Sequence, residues 1–248
     1  MYIASVGGGN KQPIFEEIAT KLDTSNVVII PSACSTQASY DRKVPACTRF
    51  FEGLGLQPTI LHEFSEIPSA DKVSHAIGQA SLAYVIGGNM PYLLDTLSEH
   101  GTDYALRTGV HNGMWLTGTS AGALLPFNTA LSCPAKKPAE EQWDYTYMTG
   151  LSLLSVAATA HANQVDPHPS TEARPTRLEY FAKTLPPEHT LGLGIENHAA
   201  LIVEDMQLRV ARASASAALH IVEFGEILPD THDDEQLTEL FWRHIFRN

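Results

Sequence analysis

The 248-residue chain is poor in cysteine, in positive charge and in long apolar runs, and each shortage removes a class of function. Its three cysteines, Cys34, Cys47 and Cys133, are an odd number with no CxxC pair. That argues against a disulfide framework or a zinc knuckle, and reduced thiols in a cytoplasmic protein are expected. Lys and Arg number 16 against 28 Asp and Glu, a net charge of −12. A surface of that sign repels phosphate backbones and anionic headgroups, so neither nucleic acid nor membrane is expected as a partner. No apolar run approaches the ~20 residues of a membrane helix. The opening MYIASVGGGN has no basic n-region and reads as a strand and its turn, not as a signal peptide. His161, Asp166 and His168 could be grouped as metal ligands, but HExxH and spaced thiolate sets are missing, so no metal is expected. Gly7-Gly8-Gly9-Asn10 does not extend to G-x-G-x-x-G because Gln12 fills the last position, and no cofactor is expected.

What is present is a regular alternation. Apolar β-branched runs predict strands over 2–6, 26–31, 57–63, 82–89, 113–119 and 151–161. Stretches of 3.6-residue period predict helices over 12–22, 37–53, 70–80, 90–100, 103–111 and 176–185, with another from Ala121 onward. The polar, proline-bearing segment 131–149 is taken as a surface excursion. Residues 190–224 read as short strands with a turn near Glu204-Asp205, and residues 235–248 as an amphipathic helix. Strands alternating with helices, several of them continuously apolar, imply a doubly wound, mostly parallel α/β sheet sandwiched by helices. One domain over residues 1–248 is the simplest account. Ligands in such sheets bind at the carboxyl ends of the strands.

One of those ends carries Gly118-Thr119-Ser120-Ala121-Gly122. A tight strand-to-helix turn strains its central residue and crowds the chain on both sides. Small neighbours relieve the crowding and leave the Ser120 hydroxyl protruding, as in a nucleophile elbow. The following N–H groups can stabilise an oxyanion. The bland alternative is an ordinary helix cap, with Ser120 bonding a backbone N–H. Its position, after an apolar strand and four β/α units, favours the elbow.

The GTSAGA elbow, preceded some thirty residues earlier by YVIGGNMPYLLDTL, resembles the peptidase S51 family, which includes aspartyl dipeptidase and cyanophycinase. The resemblance runs from about residue 1 to about residue 223. It implies a fold related to class I glutamine amidotransferases. Those carry cysteine in the elbow; serine here favours peptide hydrolysis over amide transfer. It also implies an oxyanion hole from the N–H groups of Gly88 and Ala121, with Asn89 of the GGN turn at the substrate.

A serine hydroxyl needs a base, usually histidine. The family places it after a GLxLL segment, and Gly150-Leu151-Ser152-Leu153-Leu154 leads without a gap to His161. His168, in VDPHPS, is the competitor because DPH resembles the D-x-H of other members. The family's acid comes from a G-[IL]-x-[DE] segment, here GIENHAALIV. Glu196 is its only carboxylate and the first choice to orient the histidine. Strict alignment puts Asn197 on the acid position, so an amide is the alternative. Arg174, in EARPTRL, has the spacing to Arg177 of the family's arginine pair and is the expected partner of an acidic substrate side chain. The expected substrate is a small peptide: an Asp-Xaa dipeptide, an isoaspartyl peptide or a branched polymer of Asp and Arg. Oligomeric state stays open, a homodimer included. Two other readings compete. An α/β-hydrolase esterase would need His220 or His232 as a late base. A silent binding protein would explain Asn197.

Overall fold

The computed structural model describes residues 1–132, 145–165, 175–229 and 233–245. The first half follows the predicted alternation: β1 (Tyr2–Val6), α1 (Gln12–Ala19), β2 (Asn26–Ile30), α2 (Gln37–Gly53), β3 (Gln57–Ile60), α3 (Ala70–Gln79), β4 (Leu82–Val85), α4 (Met90–Glu99), α5 (Thr102–His111), β5 (Trp115–Thr119) and the single turn α6 (Ala121–Leu124). The second half runs β6 (Phe127–Ser132), β7 (Thr146–Met148), β8 (Leu154–Ala160), α7 (Arg177–Thr184), β9 (Leu191–Ile195), β10 (Ala199–Glu204), β11 (Gln207–Arg212), β12 (Leu219–Glu223), β13 (Glu226–Ile227) and α8 (Asp234–Ile245).

The described strands form two sheets. The first has the order β11-β10-β1-β5-β4-β2-β3, the second β13-β12-β9-β8-β6-β7. β1 to β5 are mutually parallel, and β10 joins β1 antiparallel. In the second sheet β6, β8 and β9 are parallel. The buried runs in β1, β2, β4 and β5 need cover on both faces. On one face Ala4, Val6, Ile29 and Tyr84 meet Phe15 of α1 and Phe51 of α2. On the other, Ile3, Val28, Val85 and Leu116 belong to one continuous cluster with Leu93 and Leu106 of the helices and Phe127, Ala158, Leu193 and Ile221 of the second sheet. α7 closes the second sheet's outer face through Leu178 and Phe181. Helix starts follow local chemistry: Thr36, Ser69 and Asn89 accept the N–H three residues on, and Thr176 with Glu179 forms a capping box.

Two expectations change. The helix predicted from Ala121 lasts four residues, because Pro126 cannot continue it and the chain turns directly into β6. The segment read as a surface excursion is bounded by paired strands: β6 reaches Ser132, and β7 pairs with it from Thr146 to Met148. Among the described residues no helix is long and apolar enough to cross a membrane.

The register fixes where the site lies. Ser5 and Val85 both sit opposite Gly118, and Val6 opposite Thr119, so β1, β4 and β5 end together. Ala160 of β8 sits opposite Ile195 of β9. The residues just beyond these five strand ends are the ones that meet.

Candidate active site

Ser120 follows β5 with φ 56° and ψ −118°, a conformation strained for any residue with a side chain. A Cβ on Gly118 would lie 2.4 Å from the carbonyl carbon of Gly122, and one on Gly122 would lie 2.2 Å from the carbonyl oxygen of Val85. The elbow therefore closes only with glycine at both positions. The Ser120 N–H donates to the Val6 carbonyl at 3.1 Å, tying the turn to β1. The side chain makes no cap hydrogen bond to α6, unlike Thr36 or Ser69 on their helices.

Its hydroxyl instead meets His161, the residue after β8, whose own φ is 55°. Ser120 Oγ lies 2.8 Å from His161 Nε2, and His161 Nδ1 lies 2.6 Å from Asn197 Oδ1. An amide oxygen only accepts, so Nδ1 carries a hydrogen, and in the neutral ring Nε2 then presents its lone pair to the hydroxyl. The Asn197 N–H donates to Asn163 Oδ1 at 3.3 Å, which steadies that turn.

Glu196, the first choice for the orienting group, directs its carboxylate elsewhere. Its Oε1 is 2.8 Å from His220 Nε2, and its Oε2 accepts the Ala218 N–H at 3.1 Å. Adjacent residues of an extended chain point to opposite sides, so one position decides which of Glu196 and Asn197 faces the histidine. Asn89 also departs from expectation. Its Oδ1 accepts the Tyr92 N–H at 3.1 Å and caps α4, and Asn89 does not line the cavity at Ser120. His168 and Arg174 lie outside the described residues. The Gly88 and Ala121 amides flank Ser120 and make no hydrogen bond to other described residues. A Cβ on Gly88 would meet the Ala33 carbonyl at 2.2 Å, so only glycine brings that amide so close to the neighbouring strand end.

The cavity over Ser120 and His161 measures about 460 Å³ and is also lined by Lys11, Arg42, Lys43 and Tyr84. Lys11 lies over the rings of Tyr84 and Phe50, at 4.2 and 4.8 Å from their centroids, and donates to the Tyr84 hydroxyl. Burial holds the Lys11 ammonium below the usual lysine range and pushes the Tyr84 phenol up. Tyr84 Oη is 2.9 Å from Thr119 Oγ1, beside Ser120. Cys47, also at the cavity, is a free buried thiol pushed up by desolvation. Among the described residues no group of three or more His, Cys, Asp or Glu could hold a metal ion.

The sequence profile of Peptidase family S51 matches residues 3–211. The chain belongs to peptidase family S51. It is a serine-type peptidase with the doubly wound α/β fold. It is similar to the Uncharacterized peptidase Lin0382 of Listeria innocua, 28% identical over 199 residues that cover 79% of this chain and 88% of the relative. It is likewise similar to the Uncharacterized peptidase Lmo0363 of Listeria monocytogenes, at 24% identity over 82% of this chain and 93% of the relative. The crystal structure of a peptidase from an acI-B1 Actinobacterium superposes with a TM-score of 0.64 at 18% identity, over 93% of this chain and 95% of that one. At that identity the likeness shows the fold alone.

Four residues of this S51 chain that shape the site escaped sequence reasoning. A Cβ on Gly8 would lie 2.3 Å from Asn197 Oδ1 and 2.4 Å from His161 Cε1, so the glycine turn after β1 roofs the His161–Asn197 pair. Its signal in the sequence is three successive glycines at a strand end. Lys11 is one residue before α1, and Arg42 and Lys43 lie on α2. They look like ordinary helix-surface cations, and no local signal ties them to residue 120.

Proposed function

We propose that the protein is a serine exopeptidase or dipeptidase acting on small peptides, with Ser120 as nucleophile, His161 as general base and Asn197 as the group that orients it. The observation that carries this reading is the unbroken chain from Ser120 Oγ to His161 Nε2 to Asn197 Oδ1, at 2.8 and 2.6 Å, on a strained elbow. In this mechanism Oγ attacks the scissile carbonyl while Nε2 takes its proton. The N–H groups of Gly88 and Ala121 receive the oxyanion. The imidazolium returns the proton to the leaving amine, which departs with the C–N bond electrons. Water, deprotonated by the same nitrogen, then hydrolyses the acyl-enzyme. Asn197 holds the ring and its tautomer without supplying the counter-charge of a carboxylate, a role amides fill in papain-like sites.

A cavity of about 460 Å³ suits a dipeptide better than an extended polypeptide. Preference for an N-terminal acidic residue is part of this reading, as is a cytoplasmic location, which the free thiols Cys34 and Cys47 suit. The test is fluorophosphonate labelling of Ser120 together with hydrolysis of dipeptides. Labelling lost in Ser120→Ala, with turnover insensitive to chelators, is the expected result. Ester turnover without any peptide turnover would overturn it.

A further inference from the structure

Only 16 residues of this acidic chain are Lys or Arg, yet three of them line the cavity that holds Ser120. Two are attached to residues beside the nucleophile. Lys43 Nζ donates to the Gly87 carbonyl at 2.6 Å, and a Cβ on Gly87 would lie 2.9 Å from Ser120 Cβ. Lys11 reaches Thr119 through the Tyr84 hydroxyl. Arg42 is exposed at the rim.

None of the three has a carboxylate within ion-pair distance among the described residues. Other cations here do: Lys21 pairs with Glu17 and Glu204, Lys72 with Glu66, and Arg209 with Glu17. An ammonium has three donors and a guanidinium five. Lys11 and Lys43 each spend one donor on the protein, and Arg42 spends none. Aromatic faces offset part of the cost of removing the Lys11 charge from water, but they leave its remaining donors unmet. A concave site with surplus cationic donors is complementary to an anion.

We propose that Lys11, Arg42 and Lys43 form an anion subsite that holds a carboxylate of the peptide beside Ser120 and so determines which peptides are cleaved. This rests on the serine-peptidase reading above. The carboxylate comes either from an acidic side chain or from the peptide's C-terminus. The subsite is built from the β1–α1 turn and from α2.

The experiment compares kcat/KM for Asp-Leu, Asp-Leu-amide, Ala-Leu and Ala-Leu-amide on the parent protein and on Lys11→Met, Lys43→Met and Arg42→Gln. A parallel measurement follows fluorophosphonate labelling of Ser120 with and without succinate. The expected result is a preference for the carboxylate-bearing peptides over Ala-Leu-amide, which falls by about 10- to 100-fold in Lys11→Met, the scale of a hydrogen bond to a charged group. Succinate should slow labelling of the parent and lose that effect in the variant. The pair Asp-Leu-amide and Ala-Leu assigns the carboxylate to side chain or terminus. Should Lys11→Met fail to fold, Lys43→Met and Arg42→Gln on the helix surface carry the same comparison. Equal kcat/KM on all four peptides and no succinate effect, with labelling intact, overturns the subsite and leaves the serine peptidase. Absence of both labelling and turnover overturns the serine-peptidase reading itself.

Discussion

The first sheet brings a strained turn and positive charge to the cavity, whereas the second brings an imidazole held by an amide side chain. Ser120, the Gly88 amide, Lys11 and Lys43 belong to the β1–β5 half. His161, Asn163 and Asn197 follow β8 and β9. Ser120 and His161 therefore come from different sheets, joined by one shared apolar cluster. The histidines differ too. His220 of β12 and His244 of α8 each bond a carboxylate, Glu196 and Glu223. Buried His62, just after β3, bonds the Ser32 hydroxyl and the Glu63 main-chain oxygen. On the proposed mechanism, one half supplies the attacking hydroxyl and the charge that meets the substrate, the other handles the proton, and catalysis depends on the register between them.

The harshest way to break that division is to remove either side of the junction. Ser120→Ala should lower kcat by on the order of 10⁴–10⁶-fold, and His161→Ala by a comparable factor, because residues that act as a unit fail together. Steady-state kinetics with an unchanged circular dichroism spectrum checks this. Retention of a tenth of the activity by either variant would remove that residue from the chemistry.

Gly8→Ala attacks the junction from above. The added methyl would stand within 2.4 Å of both the His161 ring and the Asn197 amide, so one of them must move. A displacement of about 1 Å at a reacting group can cost ~10² in rate. The prediction is a loss on that scale in kcat, with fluorophosphonate labelling slowed in parallel. Unchanged labelling would mean the pair tolerates the methyl.

Asn197→Leu leaves the Nδ1 hydrogen without its acceptor. Loss of one such hydrogen bond, at about 1–2 kcal/mol, predicts a fall of roughly 5- to 30-fold in kcat/KM. Glu196→Gln should fall well short of that, since its carboxylate serves His220 and the Ala218 amide. A larger loss in Glu196→Gln than in Asn197→Leu would reverse the assignment of the orienting group.

The smallest effect sharpens the contrast between the histidines. Burial lowers the pKa of His62 below the ordinary histidine value. The unfolded chain then binds more protons than the folded one between the folded pKa and about 6.5. The contribution is fully present above that unfolded value and is lost as pH falls through the window. Thermal melts should show stability falling from pH 7.5 to pH 5, and His62→Gln should make that fall shallower. An identical pH slope in the variant would show that His62 is not titrating there.

Much of this protein was legible from its residues alone. The β/α alternation up to α5 rests on local periodicity and capping, and α2 matches its predicted span of 37–53. The elbow was legible because Gly118 and Gly122 answer a steric need within five residues. His161 was pointed to by the resemblance to the family, which places a histidine after a segment like Gly150–Leu154, and the fold brings it to Ser120. Other features depended on contacts that local pattern does not encode. β6 and β7 are short, and their strand character comes from pairing with each other and with β8. Glu196 and Asn197 are neighbours with interchangeable chemistry, and only the side of the β9 extension that faces β8 separates them. Lys11 and Lys43 lie 109 and 77 residues from Ser120 and carry no mark of it in sequence. Local sequence set which segments became strands and turns, because that choice depends on neighbours within a few positions. Tertiary structure alone decided which side chains share the cavity, because that depends on how distant strand ends come into line.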